Sequence, residues 1–419
     1  MTEQSTSLQS ARARDAADPL AVHRDQFVFA DDTIYLDGNS LGRLPGRTAP
    51  LLAALVEQEW GSGLIRSWPR WLDRARTVAD RIATGVLEVP AGTVVLSDST
   101  TVNLYKVAAA ALDARPGRRA ILVEQDAFPT DLYVLQGLAS ARGIDLVTVE
   151  TDLDAGLDLD VLTRRLTDDV ALVCLSQVGY RSGALLDVNA VTAAVHEAGA
   201  MIIWDLSHSA GAVGSRLASS QADLAVGCTY KYLNGGPGAP AFVYVRQDLH
   251  AQLRQPIWGW FGQDDQFAMA PAYDPVAGID RFSTGTPNLL GITAVGAGVD
   301  TVVAAGIDAV RAKGLALTSY LVELADDWLE PLGFRLASPR DPERRGSHVT
   351  LHHLEAWQAC QALIDHQVVP DFRTPDRLRL GLSPLTTSYE DVWRALDLLR
   401  RLVTDGAHRN YPTVRSRVT

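Results

Sequence analysis

Residues 201–213, MIIWDLSHSAGAV, and 225–240, AVGCTYKYLNGGPGAP, decide how this chain is read. The first is an apolar run that ends on Asp205, with His208 three positions later. The second carries Tyr230 and Lys231 into a glycine-rich turn. A short apolar run bounded by turn residues reads as a strand buried on both faces, which puts the acid at a strand end. An acid there and a lysine beside a tyrosine are groups a pyridoxal phosphate enzyme needs. One meets the pyridinium nitrogen and the other the aldehyde.

The lysine stands out for a second reason. The chain contains three: Lys106, Lys231 and Lys313. Lys313, in VRAKGLALT, reads as an exposed helix position, and Lys106, behind a helix start, as a solvated one. Lys231 alone has glycine-rich, aromatic, weakly charged surroundings, where partial burial favours the nucleophilic amine.

On either side of this stretch, apolar strands alternate with helices. Strands are expected at 120–125, 145–150, 170–178, 201–207, 223–229 and 241–246, with helices at 131–142, 159–166 and 189–198. That alternation indicates an α/β fold with a mostly parallel sheet covered on both faces. Ligands on such sheets sit at the carboxyl ends of strands. The polar residues fall there: 126–131 with Asp131, Ser176 and Gln177, Asp205 with His208, and Tyr230 with Lys231.

Upstream, TVVLSDSTTVNLYK places Ser97, Ser99, Thr100 and Thr101 before a helix from about residue 102 to 112. Hydroxyls and free N–H groups at a helix N-terminus suit an anion, so this is a candidate phosphate cup. Residues 31–47, DDTIYLDGNSLGRLPGR, read as a short strand and a turn whose Gly38 and Gly42 permit close backbone approach. Trp60, Trp68 and Trp71 cluster with Arg66 around an interrupted helix, suggesting a pocket edge or subunit contact. Residues 258–292 are aromatic and loop-rich. A long continuous helical stretch is expected from about 292 to 329, carrying the boundary to a smaller α+β region with strands at 347–353 and 377–383 and helices at 356–366 and 389–403.

Composition narrows the field. The 419 residues are 47% hydrophobic and 21% charged, enough for a large core and, on length, two or three domains. A net charge of −12 argues against nucleic acid as the main partner. No apolar run reaches membrane-spanning length. The first twenty residues, a loose or helical lead-in, lack the apolar core of a secretory signal. Cys174, Cys228 and Cys360 have no metal or disulfide spacing, so a reducing, cytoplasmic location is expected.

The motifs YLDGNSLG (35–42), GLIRSW (63–68), STTVNLYK (99–106), FPTDLYV (128–134), LSQVGYRSG (175–183), WDLSHSAGA (204–212), YKYLNGGPG (230–238), GWFG (259–262) and RLGLSPL (379–385) together resemble the kynureninases over nearly the whole chain. That resemblance implies a pyridoxal 5'-phosphate-dependent transferase-like fold (fold type I). Its large domain, 59–299, would hold a mostly parallel seven-stranded sheet. A smaller C-terminal domain would span 300–419, with 1–58 associated with it. It implies hydrolysis of a kynurenine-type amino acid, the bacterial-like GLIRSW pattern favouring plain kynurenine.

It also implies residue roles. Lys231 would bind the cofactor aldehyde, and Asp205 the ring nitrogen. His208 would orient the cofactor, Phe128 would stack on its ring, and Asp131 and Ser176 would make further ring contacts. Thr100, Thr101 and Tyr230 would hold the phosphate, with Tyr230 also the proton donor and acceptor at the carbonyl. Trp260 and Thr286 would reach the phosphate from the neighbouring subunit of a homodimer. Arg379 would grip the substrate carboxylate, although pattern alone barely separates it from Arg377. Trp60, Trp68 and the Ser40 loop would wall the substrate's aromatic ring.

Three rivals are open to test. A cysteine desulfurase or selenocysteine lyase on the same scaffold needs a nucleophilic cysteine in a mobile loop, and the three cysteines here fall in buried strands and a helix. A cofactor-binding regulator needs a DNA-binding module, for which there is no room ahead of Tyr35. A metal hydrolase would have to use His348, His352 and His353, without an evident carboxylate, so no metal site is expected.

Overall fold

In the computed structural model, which describes residues 6–414, the alternating apolar runs become seven strands of one sheet. They are Val94–Ser97 (β1), Ala120–Glu124 (β2), Asp145–Val149 (β3), Val170–Ser176 (β4), Met201–Asp205 (β5), Leu224–Gly227 (β6) and Ala241–Val245 (β7). Their order is β1-β7-β6-β5-β4-β2-β3. All neighbours are parallel except β7, which runs antiparallel to both β1 and β6. This is the mostly parallel sheet read from the sequence.

Strand parity puts the acid where it is needed. Ile202 and Trp204 face a core shared with Val78, Ile82, Val295 and Val299. Met201 and Ile203 face the opposite core, with Leu104 and Val107 of the helix Thr100–Asp113 and Leu135 of the helix Pro129–Arg142. Successive side chains alternate, so Asp205 emerges on the side of those two helices, whose N-termini hold Thr100 and Asp131.

A second, antiparallel sheet comprises Arg335–Leu336 (β8), His348–His352 (β9), Asp371–Arg373 (β10) and Arg377–Gly381 (β11), ordered β10-β11-β9-β8. It shares a core with the helices Ile307–Trp328, Ala356–Asp365 and Tyr389–Thr404. The N-terminal helix Leu8–Ala16 packs here too: the Asp15 carboxylate accepts from the N–H groups of Tyr389 and Glu390 at 2.7 and 2.9 Å. Residues 1–5 of the expected lead-in lie outside the described residues. Ile34–Tyr35 pairs in parallel with Val368–Val369, and the Leu36 carbonyl accepts from the N–H of Gly381 at 2.6 Å. The loop after Tyr35 is thereby tied to the second sheet.

Two expectations are corrected. The stretch from 292 to 329 is not one helix: Leu289–Ala305 and Ile307–Trp328 meet at 81°. Gly306, at φ +79°, makes the turn, a conformation glycine adopts without a Cβ clash. Lys106 and Lys313 are not solvated either. Lys106 is 0% exposed, and Lys313 is buried, its Nζ 2.6 Å from Asp18. Buried lysines persist when paired with an acid, and helical periodicity does not reveal a partner from a distant segment. Among the described residues no single helix is long and apolar enough to cross a membrane.

Candidate active site

A cavity of about 430 Å³ opens at the carboxyl ends of the central strands. Asp205, Tyr230, Lys231, Phe128 and Asp131 line one part of it, the Ser97–Thr101 corner another, and residues 283–288 a third.

Asp205 is buried and anchored at once: the Ser207 N–H and hydroxyl both donate to its Oδ1, at 2.8 and 2.6 Å. Lys231 sits in the turn after β6. Gly42 is pressed against that turn; a Cβ there would lie 2.3 Å from the Lys231 carbonyl oxygen, and its N–H donates to Tyr230 O at 2.7 Å. The close approach expected of this glycine is therefore realised. His208 Nε2 lies 3.2 Å from Lys231 Nζ. Burial, then the positive charges of Lys231 and Arg379, holds the His208 ring well below the usual imidazole range, so it is neutral and accepts from the ammonium. Phe128 is 37% exposed, its ring centre 5.7 Å from Lys231 Nζ. Thr100 and Thr101 form the first turn of a helix whose N-cap, Ser99, accepts from Val102 N at 3.4 Å. Burial chiefly pushes the Tyr230 phenol upward, so it is a proton carrier at neutral pH rather than a phenolate.

Acids cluster behind the cavity. Burial, followed by the negative charges of Asp205 and Glu124, pushes the Asp131 carboxyl well up. Glu124, at the end of β2, is buried and accepts from Ser176 N at 3.0 Å. Burial, with Asp126 and Asp205 adding to it, raises its carboxyl to about 7. Sequence reading passed over Glu124, though it ends an apolar run just as Asp205 does. In an unfolded chain Glu titrates near ~4.3, so between there and about 7 the native state holds a proton the unfolded state has lost, and stability falls as pH rises. Glu124→Gln is therefore expected to gain stability over the parent by roughly 3 kcal/mol at pH 8 and little at pH 4. Chemical denaturation at both pH values checks this; an equal difference at the two would refute it.

The other expected residues divide. Ser176 pairs in register with Asp205, but its backbone N–H is the group bound to Glu124, and the residue does not line the cavity. Ser40 accepts from Arg379 Nη2 at 2.9 Å and donates to Asp371 Oδ2 at 3.2 Å. Arg379, 1% exposed, also donates to Tyr180 O at 2.6 Å and pairs with Asp371. With its amide oriented to satisfy both ends, Asn39 accepts from Arg379 Nε at 2.9 Å. Arg377 instead pairs with Asp154 and Asp376. The strand carrying Asp371 is three residues long and left no periodicity to read.

Thr286 lines this chain's own cavity. Trp260 does not; it is 47% exposed, with its ring 5.9 Å from Phe261 and 5.8 Å from Phe267. Trp60 and Trp68 also lie off the cavity lining within one chain. Trp60 is exposed, and Trp68 packs edge-on to Trp71 at 5.6 Å. Of the three histidines that the metal-hydrolase rival would need, His352 pairs through Nε2 with Asp376 at 3.1 Å, a carboxylate the sequence did not suggest. Among the described residues no group of acids, histidines and cysteines is arranged to hold a metal ion.

A lysine amine, a fixed acid and a hydroxyl-rich helix N-terminus on one cavity, over a mostly parallel seven-stranded sheet, define a pyridoxal phosphate enzyme of fold type I. The donor set fits each end of that cofactor: the amine its aldehyde, the acid its ring nitrogen, the helix N-terminus its phosphate. Solved structures agree on the fold. A cysteine desulfurase from Thermococcus onnurineus NA1 superposes with a TM-score of 0.81 at 19% identity, covering 92% of this chain and 98% of that one. An Escherichia coli cysteine desulfurase gives 0.78 at 18%, covering 94% and 99%.

Sequence comparison reaches further. Residues 310–399 match the family model of the kynureninase C-terminal domain. The kynureninase of Pseudomonas fluorescens is 41% identical over 95% of this chain and 96% of its own. That of Deinococcus radiodurans is 45% identical over 92% and 93%. The chain belongs to the kynureninase family.

Proposed function

We propose that this chain hydrolyses the Cβ–Cγ bond of L-kynurenine, giving anthranilate and L-alanine, with pyridoxal 5'-phosphate attached to Lys231. The observation that carries the proposal is Lys231 and Asp205 lining one cavity with the Thr100–Thr101 helix N-terminus.

When bound, the cofactor supplies an electron-withdrawing ring conjugated with the substrate amine. The chain's own residues do the rest. Asp205, fixed by Ser207, holds the proton at the ring nitrogen. Thr100, Thr101 and Tyr230 hold the phosphate, Phe128 lies against the ring face, His208 orients the cofactor from beside Lys231, and Asp131 supports the ring edge. Arg379 takes the α-carboxylate. Lys231, once released by the substrate amine, removes and returns the proton at the substrate α-carbon. Hydrolysis delivers the hydroxyl of water to the aryl carbonyl carbon and a proton to Cβ. Tyr230, a neutral phenol, gives and takes the proton at that carbonyl oxygen.

A homodimer is part of this reading, with Trp260 and Thr286 reaching the neighbouring phosphate site and Trp60, Trp68 and Ser40 bordering the substrate ring. Its support is the exposure of the large apolar side chains Trp60, Leu64, Ile65, Trp258, Trp260, Phe267 and Met269, the kind of residue that an interaction surface covers. Residues 1–58 are read as riding with a small domain, 300–419, beside a large domain, 59–299; the packing of Leu8–Ala16 on Tyr389–Thr404 supports that division. A cytoplasmic location fits three buried, unpaired cysteines.

The desulfurase alternative lacks its reagent. Cys174, Cys228 and Cys360 are buried, and burial pushes all three thiols up, away from thiolate. Product analysis with L-kynurenine and 3-hydroxy-L-kynurenine side by side tests the function. Equimolar alanine and anthranilate are expected from the first. No alanine from either, with sulfide released from cysteine, would overturn the proposal.

A further inference from the structure

Among the described residues, Lys106 is the one buried cation next to the cavity that the proposed chemistry leaves unused. It lies seven residues after the N-cap Ser99, two turns into the helix Thr100–Asp113. Helical side chains lean toward the N-terminus, so its amine arrives beneath the first turn. There Nζ donates to Asp98 Oδ2 at 2.9 Å, Ser97 Oγ at 3.2 Å and Phe282 O at 2.8 Å. An ammonium has three N–H groups. All three are taken, so Lys106 has none left for an anion in the cavity.

Asp98 passes the connection on. It accepts from the Ser97 hydroxyl at 2.6 Å and from Thr284 Oγ1 at 3.2 Å. Thr284 in turn carries two segments. Two residues on is Thr286, on the cavity wall beside Asp98 and Thr284. On its other side the Thr284 carbonyl accepts from Phe261 N at 3.2 Å, and a Cβ on Gly259 would lie 2.0 Å from that carbonyl oxygen. The backbone on both sides of Trp260 is therefore seated on Thr284. One ion pair, its lysine buried and its aspartate partly open to solvent, thus joins the end of β1 and the candidate phosphate cup to the corner that holds both Thr286 and Trp260.

We infer that Lys106 is a positioning residue for cofactor retention: through Asp98 and Thr284 it holds the 282–286 corner, and with it Thr286, in the place from which Thr286 reaches a cofactor phosphate. This rests on the pyridoxal phosphate reading above. A purely structural ion pair would contribute to folding without acting through Thr286, and that difference is measurable.

The test is the rate at which full-length holoenzyme releases pyridoxal 5'-phosphate into cofactor-free buffer, followed by absorbance. Lys106→Met is expected to release it about 10- to 100-fold faster, the range for losing a charge-assisted hydrogen bond. Thr284→Val keeps the shape and the Lys106–Asp98 pair, and it is expected to accelerate release in the same direction; it decides the matter if Lys106→Met does not fold. In a Thr286→Ala background either change should add little. Release at the parent rate in Thr284→Val, or losses that add in full to Thr286→Ala, would overturn the inference. A parent chain that takes up no cofactor would overturn the proposed function and this inference with it; a parent that binds, with variants that match it, overturns the inference alone.

Discussion

Lys231→Ala is expected to abolish the visible absorption of the reconstituted protein and to lower turnover by at least ~10³-fold, the scale on which removing a covalent catalytic group acts. No other lysine can substitute. Lys106 spends its three donors on Asp98, Ser97 and Phe282. Lys313 pairs with Asp18, away from the cavity. Lys231→Arg separates charge from chemistry: it keeps a cation beside the neutral His208 but offers no amine to an aldehyde. Both variants should be colourless after reconstitution and gel filtration, and comparably inactive. If Lys231→Ala kept both the band and turnover, the cofactor would be attached elsewhere and the roles given to Asp205 and His208 would fall with it.

How far the sequence could be read follows from what each feature depends on. An apolar run and its polar terminus are local features, so the run ending on Asp205 sufficed to place that acid at a strand end; the face it takes came only with the two cores around the sheet. The Gly42 contact was legible because a residue lacking a Cβ in a turn invites close approach. The burial of Lys106 and Lys313 was not, since their partners, Asp98 with Phe282 and Asp18, come from other segments. The break at Gly306 lay inside an apolar stretch whose periodicity survives a sharp turn. Trp60 and Trp68 were read as a substrate wall, but Trp68 packs beside Trp71 and Phe261 and Trp60 is exposed, neither of them on the cavity of the same chain. Within one chain, aromatic residues of a pocket edge and of a subunit contact have the same composition. Arg377 and Arg379 show the limit most directly: two residues apart on one strand, they differ only in what the neighbouring segments present to them.

That difference sets the second large effect. Of the five N–H groups on Arg379, four are engaged by Tyr180 O, Ser40 Oγ, Asp371 and Asn39. One Nη1–H remains for an incoming carboxylate, while Asp371 and Ser40 fix the plane of the fork. Arg379→Ala is therefore expected to raise KM for L-kynurenine by about 10- to 100-fold, through loss of a charge-assisted pair. It should also destabilise the fold by about 3–5 kcal/mol, because Asp371 is left buried with only one arginine, Arg373, 2.8 Å away, beside it. Arg379→Lys keeps the charge and loses the fork, so it should recover most of the stability and little of the KM. Arg377→Ala serves as the control, because its partners Asp154 and Asp376 retain access to water; its KM should stay near the parent value. Steady-state kinetics and denaturant melts on the three variants separate binding from folding. A parent-like KM in Arg379→Lys, together with a raised one in Arg377→Ala, would move the carboxylate anchor two residues along the strand.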